Sequence, residues 1–115
     1  MRRGEIRLVD LDPIRGAEAD KRRPAVIVSN DGANATAERL GRGVITVVPV
    51  TSNTTRVYPF QVLLAAAGTG LDRDSKAQAE QVRSIAVERV GASVGQLPAG
   101  VVAELDEALR LHLAL

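Results

Sequence analysis

The sequence predicts an α+β domain that is mostly β, a small antiparallel barrel of the SH3-like type with a C-terminal amphipathic helix. Short β-branched runs such as Ala25–Val28 recur between turn signals, which is typical of buried strands. Apolar residues at every fourth position from Val101 to Leu113 predict one amphipathic helix of roughly four turns after Pro98. A chain of 115 residues is expected to form one domain, spanning 1–115.

Turn signals separate the predicted elements along the chain. In order, the predicted strands are Glu5–Leu11, Ala25–Ser29, Gly43–Val50, Gln61–Leu64, Lys76–Gln81, Ser84–Val87 and Val90–Val94. A short helix is predicted over Ala33–Leu40, with Asn30-Asp31-Gly32 as a turn or N-cap and Gly41 closing its end. Pro49 limits the hydrogen bonding of the third strand, which predicts an edge strand or a bulge there.

The composition excludes several classes of function. The net charge is +1, so a site for a polyanion would have to be a local basic patch. The chain has no cysteine and a single histidine, His112, which excludes disulfides, thiolate catalysis and two-histidine acid–base catalysis. Aromatic residues make up 2%, which argues against a broad stacking surface for nucleic acid. Because no apolar run reaches transmembrane length and no signal core follows the N-terminal residues, we expect a cytoplasmic protein without membrane contact.

Two acidic pairs have a spacing that hard divalent cations accept. Asp10 and Asp12 form one pair, and Asp72 and Asp74 form the other. Both pairs stand where a strand meets a turn, a position that aspartate favours for conformational reasons. We therefore favour the turn interpretation, and predict no metal site and no cofactor.

The strongest chemical pattern lies where polar residues flank the second and third strands. The loop before the second strand carries Glu18 and a local excess of positive charge, and Thr51 ends the third strand. If the two strands pair, Arg23 and Thr51 could meet at one rim of the barrel. Cleavage of RNA by its own 2′-hydroxyl needs a base, a cation and a hydrogen-bond donor, for which a carboxylate, a guanidinium and a hydroxyl suffice. The residues alone leave an alternative about equally open, in which the cations form a solvated loop and Thr51 caps a strand.

The order of these segments resembles the MazF/PemK/Kid family of toxins from bacterial toxin–antitoxin pairs. The resemblance covers nearly the whole chain, including the helix after Leu97-Pro98. The matching segments are Arg3-Gly4-Glu5-Ile6, Asp10-Leu11-Asp12-Pro13, Gly16-Ala17-Glu18, Arg23 to Val28, Val48 to Ser52, Tyr58 to Val62 and Glu80 to Ile85.

The resemblance implies a Kid/CcdB-like barrel and a homodimeric, metal-independent endoribonuclease, an mRNA interferase. Such an enzyme cuts single-stranded RNA at short preferred sequences, leaves a cyclic phosphate and a free 5′-hydroxyl, and thereby inhibits translation and growth. A cognate antitoxin is also implied. We expect its acidic, largely disordered tail to bind the loop before the second strand, which we call the cationic loop because it holds Arg15, Lys21, Arg22 and Arg23.

The resemblance also assigns roles to residues. The catalytic residues that it implies are Arg23, Thr51, Glu18 and Glu80. Some family members carry an arginine two positions before the last of these acids, where this chain has Gln78, so we give most weight to Arg23 and Thr51. The residues predicted to bind RNA are Arg15, Lys21, Arg22, Ser52, Asn53 and Gln78.

Two alternatives share the fold. Relatives that poison DNA gyrase bind a protein, cleave nothing and act through a C-terminal tail with a tryptophan, whereas this chain has no tryptophan and ends Leu-His-Leu-Ala-Leu. A non-catalytic RNA-binding barrel would use the same basic loop without needing Thr51 or Glu80. Cleavage of RNA in the absence of metal distinguishes the first interpretation from both alternatives.

Overall fold

The computed structural model describes residues 1–11 and 22–115. Its strands are β1 (Glu5–Val9), β2 (Arg23–Ile27), β3 (Val44–Thr51), β4 (Gln61–Leu64), β5 (Ser75–Gln78), β6 (Arg83–Ala86) and β7 (Val90–Gln96). Its α-helices are α1 (Asp31–Leu40) and α2 (Ala99–Leu113), and short 3-10 turns span Ala79–Gln81 and Val87–Arg89. The loop residues Arg15, Glu18 and Lys21 lie outside the described residues.

The strands form an antiparallel sheet in the order β4-β5-β3-β2-β1-β7, and β6 also pairs with β3. The predicted class, a mostly antiparallel α+β fold with a C-terminal helix, is confirmed. The boundaries shift at β5, which was predicted to continue to Gln81 but ends at Gln78, where a 3-10 turn begins. Among the residues that the structure describes, no helix combines the length and the apolar character needed to cross a bilayer.

Strand β3 is paired on both sides, so of the two alternatives predicted from Pro49, an edge strand or a bulge, the edge strand is wrong. One side of β3 pairs with β2, in a register that includes Ala25 opposite Pro49. The other side pairs with β6 as far as Val47 and with β5 from Val50. Pro49 therefore lies where the partner changes, and its missing N–H removes no bond from a continuous ladder.

Two apolar clusters pack on the sheet, one under each helix. Under α2, Leu105 and Ala108 contact a cluster that includes Val48 and Leu64. Under α1, Ala37 packs with the cluster that contains Ile27, Ile45 and Val47. Burying a valine, leucine or isoleucine side chain contributes on the order of 1.5–3 kcal/mol, so Leu105 fixes α2 on the sheet more strongly than the small Ala37 fixes α1.

The caps of α1 follow the sequence prediction. Asn30 Oδ1 accepts a hydrogen bond from Ala33 N at 2.8 Å, and Gly41 adopts a left-handed φ of 68° at the C-terminal end. Helix α2 keeps its predicted start after Pro98, but Leu113 at the end of the apolar stripe is 49% exposed. Arg3 joins this helix to the sheet through an ion pair with Asp106 at 2.7 Å.

The turn between β4 and β5 packs against β7 through two glycines. A Cβ at Gly95 would collide with the carbonyl of Thr69, and one at Gly70 would collide with the carbonyl of Val94. Gly70 also has a φ of 85°, which side chains rarely adopt. Because the two backbones approach this closely, the turn is held beside the sheet, and its residues 71–75 can line a cavity there.

Candidate active site

Arg23 and Thr51 come together because β2 and β3 are antiparallel partners. Ala25 lies opposite Pro49 in the ladder. The same register, continued by two residues, brings Arg23 opposite Thr51 at the end of the strands. Arg23 is exposed, Thr51 is half-buried, and both line the same two cavities. We call this pair the Arg23–Thr51 ridge.

The first cavity has a volume of about 210 Å³ and lies between the ridge and the β4–β5 turn. Its polar side chains come from both walls. The residues that line it are Arg23, Pro24, Val50, Thr51, Ser52, Leu71, Asp72, Arg73 and Ser75. The described part of the chain therefore contributes two guanidinium groups, three hydroxyls and one carboxylate to this cavity.

The second cavity lies on the other side of the ridge and has a volume of about 360 Å³. The residues that line it are Leu11, Arg23, Pro49, Val50, Thr51, Gln78, Gln81 and Arg83. Two amides and a guanidinium therefore face this space beside the ridge. Gln78, predicted to bind RNA, is among them.

The segment after Thr51 is tied back to the sheet. Asn53 N donates to Thr51 Oγ1 at 3.2 Å, and Thr55 N donates to Asn53 Oδ1 at 3.2 Å. Lys76, which is buried and pairs with Thr51 in the ladder, donates from Nζ to the carbonyl of Arg56. These bonds hold Ser52 at the wall of the first cavity, whereas the Asn53 side chain itself supports the loop.

Glu80 lines neither cavity. Its Oε2 accepts from Gln61 Nε2 at 2.7 Å, and Gln61 Oε1 accepts from Tyr58 N at 3.1 Å. Its Oε1 is buried and has no hydrogen-bond partner among the described residues. The geometry thus connects Glu80 to the backbone of the loop rather than to the Arg23–Thr51 ridge.

Arg22 is directed away from the ridge, although it precedes Arg23 in sequence. A Cβ at Gly91 would collide with its guanidinium, so this group lies against the start of β7. It lines neither cavity. Alternation along the extended chain explains this arrangement, because neighbouring side chains point to opposite faces.

The sequence analysis did not predict most of the residues that line the two cavities around the Arg23–Thr51 ridge. Asp72 was considered only as half of an acidic pair, and Arg73, Ser75, Gln81 and Arg83 were not singled out. The contact that brings the turn to the ridge depends on Gly70 and Gly95, which are remote in sequence and form no local motif. Among the described residues, no three histidine, cysteine, aspartate or glutamate side chains form a metal-binding group.

Away from the cavities, one carboxylate titrates below its ordinary range. Burial opposes ionisation of Glu5, but the hydroxyl of Ser93 at 2.7 Å and the charge of Arg7 at 3.3 Å outweigh it. Together they hold the pKa of Glu5 below its ordinary value of 4.5. The ionised side chain therefore stabilises the pairing of β1 with β7.

A guanidinium and a hydroxyl at the shared wall of two open cavities are suited to binding and stabilising a phosphoryl group. Comparison with known proteins finds relatives over the whole chain. The family model of PemK-like, MazF-like toxins of type II toxin–antitoxin systems matches residues 2–113. Endoribonuclease MazF9 of Mycobacterium tuberculosis is 70% identical over 115 residues, which cover 100% of this chain and 98% of MazF9.

Solved structures have the same fold. The Mycobacterium tuberculosis toxin MazF-mt6 superposes with a TM-score of 0.76 at 25% identity, over 96% of this chain and 97% of that one. A MazE–MazF structure from Deinococcus radiodurans has a TM-score of 0.74 at 26% identity, over 100% and 96% of the two chains. The chain belongs to the PemK-like, MazF-like toxins of type II toxin–antitoxin systems. Within that family it is an endoribonuclease.

Proposed function

We propose that this chain, as one catalytic domain over residues 1–115, cleaves single-stranded RNA through the 2′-hydroxyl without a metal ion. The observation that carries the proposal is the Arg23–Thr51 ridge, where a guanidinium and a hydroxyl line two cavities at once. The expected products are a 2′,3′-cyclic phosphate and a free 5′-hydroxyl.

In the proposed reaction, the 2′-oxygen attacks the adjacent phosphorus and the bond from phosphorus to the 5′-oxygen breaks. The phosphorane that forms carries extra negative charge on its non-bridging oxygens, and the fork of Arg23 can donate two parallel bonds to them. Thr51 Oγ accepts from Asn53 N, so its own proton is free to be donated to a phosphate oxygen or to the leaving oxygen.

The 2′-hydroxyl loses its proton to a base, and the leaving 5′-oxygen takes a proton from a water molecule. We propose Glu18 as the base, on the loop outside the described residues. Because Glu80 is bonded to Gln61, its role in this proposal is to hold the loop that follows Thr51.

The predicted RNA-binding residues have different places in this proposal. Ser52 and Gln78 contact the RNA from the cavity walls, and Arg15 and Lys21 bind phosphates along the cationic loop. Arg22 and Asn53 act beside the site, the first near β7 and the second through the backbone of the loop.

We further propose that the active form is a homodimer, since a single ridge offers few cations to a strand of several nucleotides. Because the family consists of toxins from toxin–antitoxin systems, a second partner in this proposal is a cognate antitoxin. An acidic, disordered tail would place its carboxylates where RNA phosphates bind, so inhibition would be competitive. In the cytoplasm, release from that partner would allow RNA cleavage and so inhibit translation and growth.

The test is cleavage of a labelled RNA in excess chelator, with mapping of the new ends. A matched oligonucleotide that has 2′-deoxyribose at the cut site serves as the control. We expect the RNA to be cut to a cyclic phosphate and the control to stay intact. Cleavage of the 2′-deoxy control, or loss of activity in chelator that magnesium restores, would contradict the mechanism. A gyrase-binding or merely RNA-binding protein would cut neither substrate.

A further inference from the structure

The two cavities share the Arg23–Thr51 ridge but differ in size and chemistry. The smaller, of about 210 Å³, contains the only carboxylate that the described residues contribute to either cavity, that of Asp72. The larger, of about 360 Å³, contains the amides of Gln78 and Gln81 and the guanidinium of Arg83. One shared wall, proposed above to bind the phosphate, thus separates two unlike polar spaces.

A phosphodiester joins two nucleosides, so a phosphate held on the ridge has one nucleoside on each side. Proteins that read single-stranded RNA commonly splay out neighbouring bases and hydrogen-bond their edges. Because the RNA backbone continues on both sides of the bound phosphate, one nucleoside is directed towards each cavity. The position of the ridge between the cavities therefore matches the position of a scissile phosphate between two bases.

We propose, building on the function proposed above, that each cavity binds one of the two nucleotides that flank the scissile phosphate, and that Asp72 and Gln81 determine base preference on opposite sides of the cut. A carboxylate accepts a hydrogen bond from an exocyclic amino group, which adenine, cytosine and guanine have and uracil lacks. Asp72 therefore disfavours uracil in the smaller cavity.

The larger cavity has a different preference. Glutamine forms paired hydrogen bonds with adenine, and arginine forms them with guanine. With Gln78, Gln81 and Arg83 in its wall and the greater volume, this cavity favours a purine. Gln81 is exposed at the end of its 3-10 turn, so changing its side chain does not disturb the core.

The experiment uses RNA in which the two positions that flank a fixed cut site are fully degenerate, followed by sequencing of cleaved and uncleaved molecules. For Asp72→Asn we expect discrimination against uracil to fall by roughly tenfold at one flanking position. For Gln81→Ala we expect a loss of similar size in purine preference at the opposite position. The matched acid-to-amide control, Glu88→Gln, changes an exposed carboxylate that lines neither cavity and keeps both preferences.

If a variant cleaves RNA too slowly for its products to be sequenced, base preference is measured by binding instead. The variant is mixed with the same degenerate pool carrying 2′-deoxyribose at the cut site, and the bound molecules are recovered and sequenced. Unchanged preferences in both variants, or changes at the same position in both, would overturn the proposal. The variant Arg23→Ala separates this failure from that of the proposed function. If Arg23→Ala cuts RNA at the wild-type rate, the proposed active site is wrong. If Arg23→Ala is inactive but Asp72→Asn and Gln81→Ala keep the wild-type base preferences, only the assignment of the two subsites is wrong.

Discussion

Replacing Arg23 by alanine should slow RNA cleavage without unfolding the protein. Removing one donor that stabilises charge in a transition state costs about 2.7–4 kcal/mol, which corresponds to roughly 10²- to 10³-fold in rate. The side chain of Arg23 is exposed at the first position of β2, so its loss should change the free energy of unfolding by no more than about 0.5 kcal/mol. Arg23→Lys keeps the charge but not the two-pronged geometry, so it should recover only part of the rate.

The assay is a single-turnover cleavage rate with a fluorescent RNA in chelator, measured beside thermal melting of each variant. Arg42→Ala is the matched control, because Arg42 is an exposed arginine that follows α1 and lines neither cavity. Wild-type cleavage by Arg23→Ala would refute the reasoning outright. A slow rate that accompanies a fall of several degrees in melting temperature would show instead that Arg23 supports the fold.

Other predictions test stability and binding. Glu5→Gln should lower the free energy of unfolding at pH 7. This loss of stability should disappear as the pH falls below about 4.5, because a carboxylate with a lowered pKa stabilises the fold only when it is ionised. An unchanged loss at pH 3, measured by urea titration, would contradict this. Leu105→Ala should cost about 2–5 kcal/mol because Leu105 is 2% exposed, whereas Leu111→Ala, at a residue 58% exposed, should cost little in the same titrations. The double variant Lys21→Glu, Arg22→Glu should weaken binding of both RNA and an acidic antitoxin tail; unchanged antitoxin affinity beside lost RNA affinity would show that the inhibitor binds elsewhere.

The sequence predicts local elements better than the contacts between them. The caps Asn30 and Gly41 fix α1 through neighbouring atoms, so the pattern was sufficient to find this helix. The edge-strand alternative for Pro49 is wrong because the effect of this proline depends on which strands pair with each side of β3, and those partners are distant in sequence.

The candidate site likewise has one part that the sequence predicts and one part that it does not. The Arg23–Thr51 pair follows from the pairing of β2 with β3, which apolar runs and turn signals indicate. The wall that contains Asp72 and Arg73 requires the β4–β5 turn to fold back on β7. That contact depends on backbone approach at two glycines, and no periodicity in the sequence encodes it.

The topology of the sheet also bears on when the protein becomes active during its synthesis. Strand β1 is synthesised well before its partner β7, which spans Val90–Gln96. Pairings between such distant segments form slowly, because loop-closure entropy opposes them until most of the chain is present. The Arg23–Thr51 ridge needs β3, whose other partners β5 and β6 also emerge late. A nascent chain therefore cannot complete the sheet that supports the Arg23–Thr51 ridge until β5, β6 and β7 have all been synthesised.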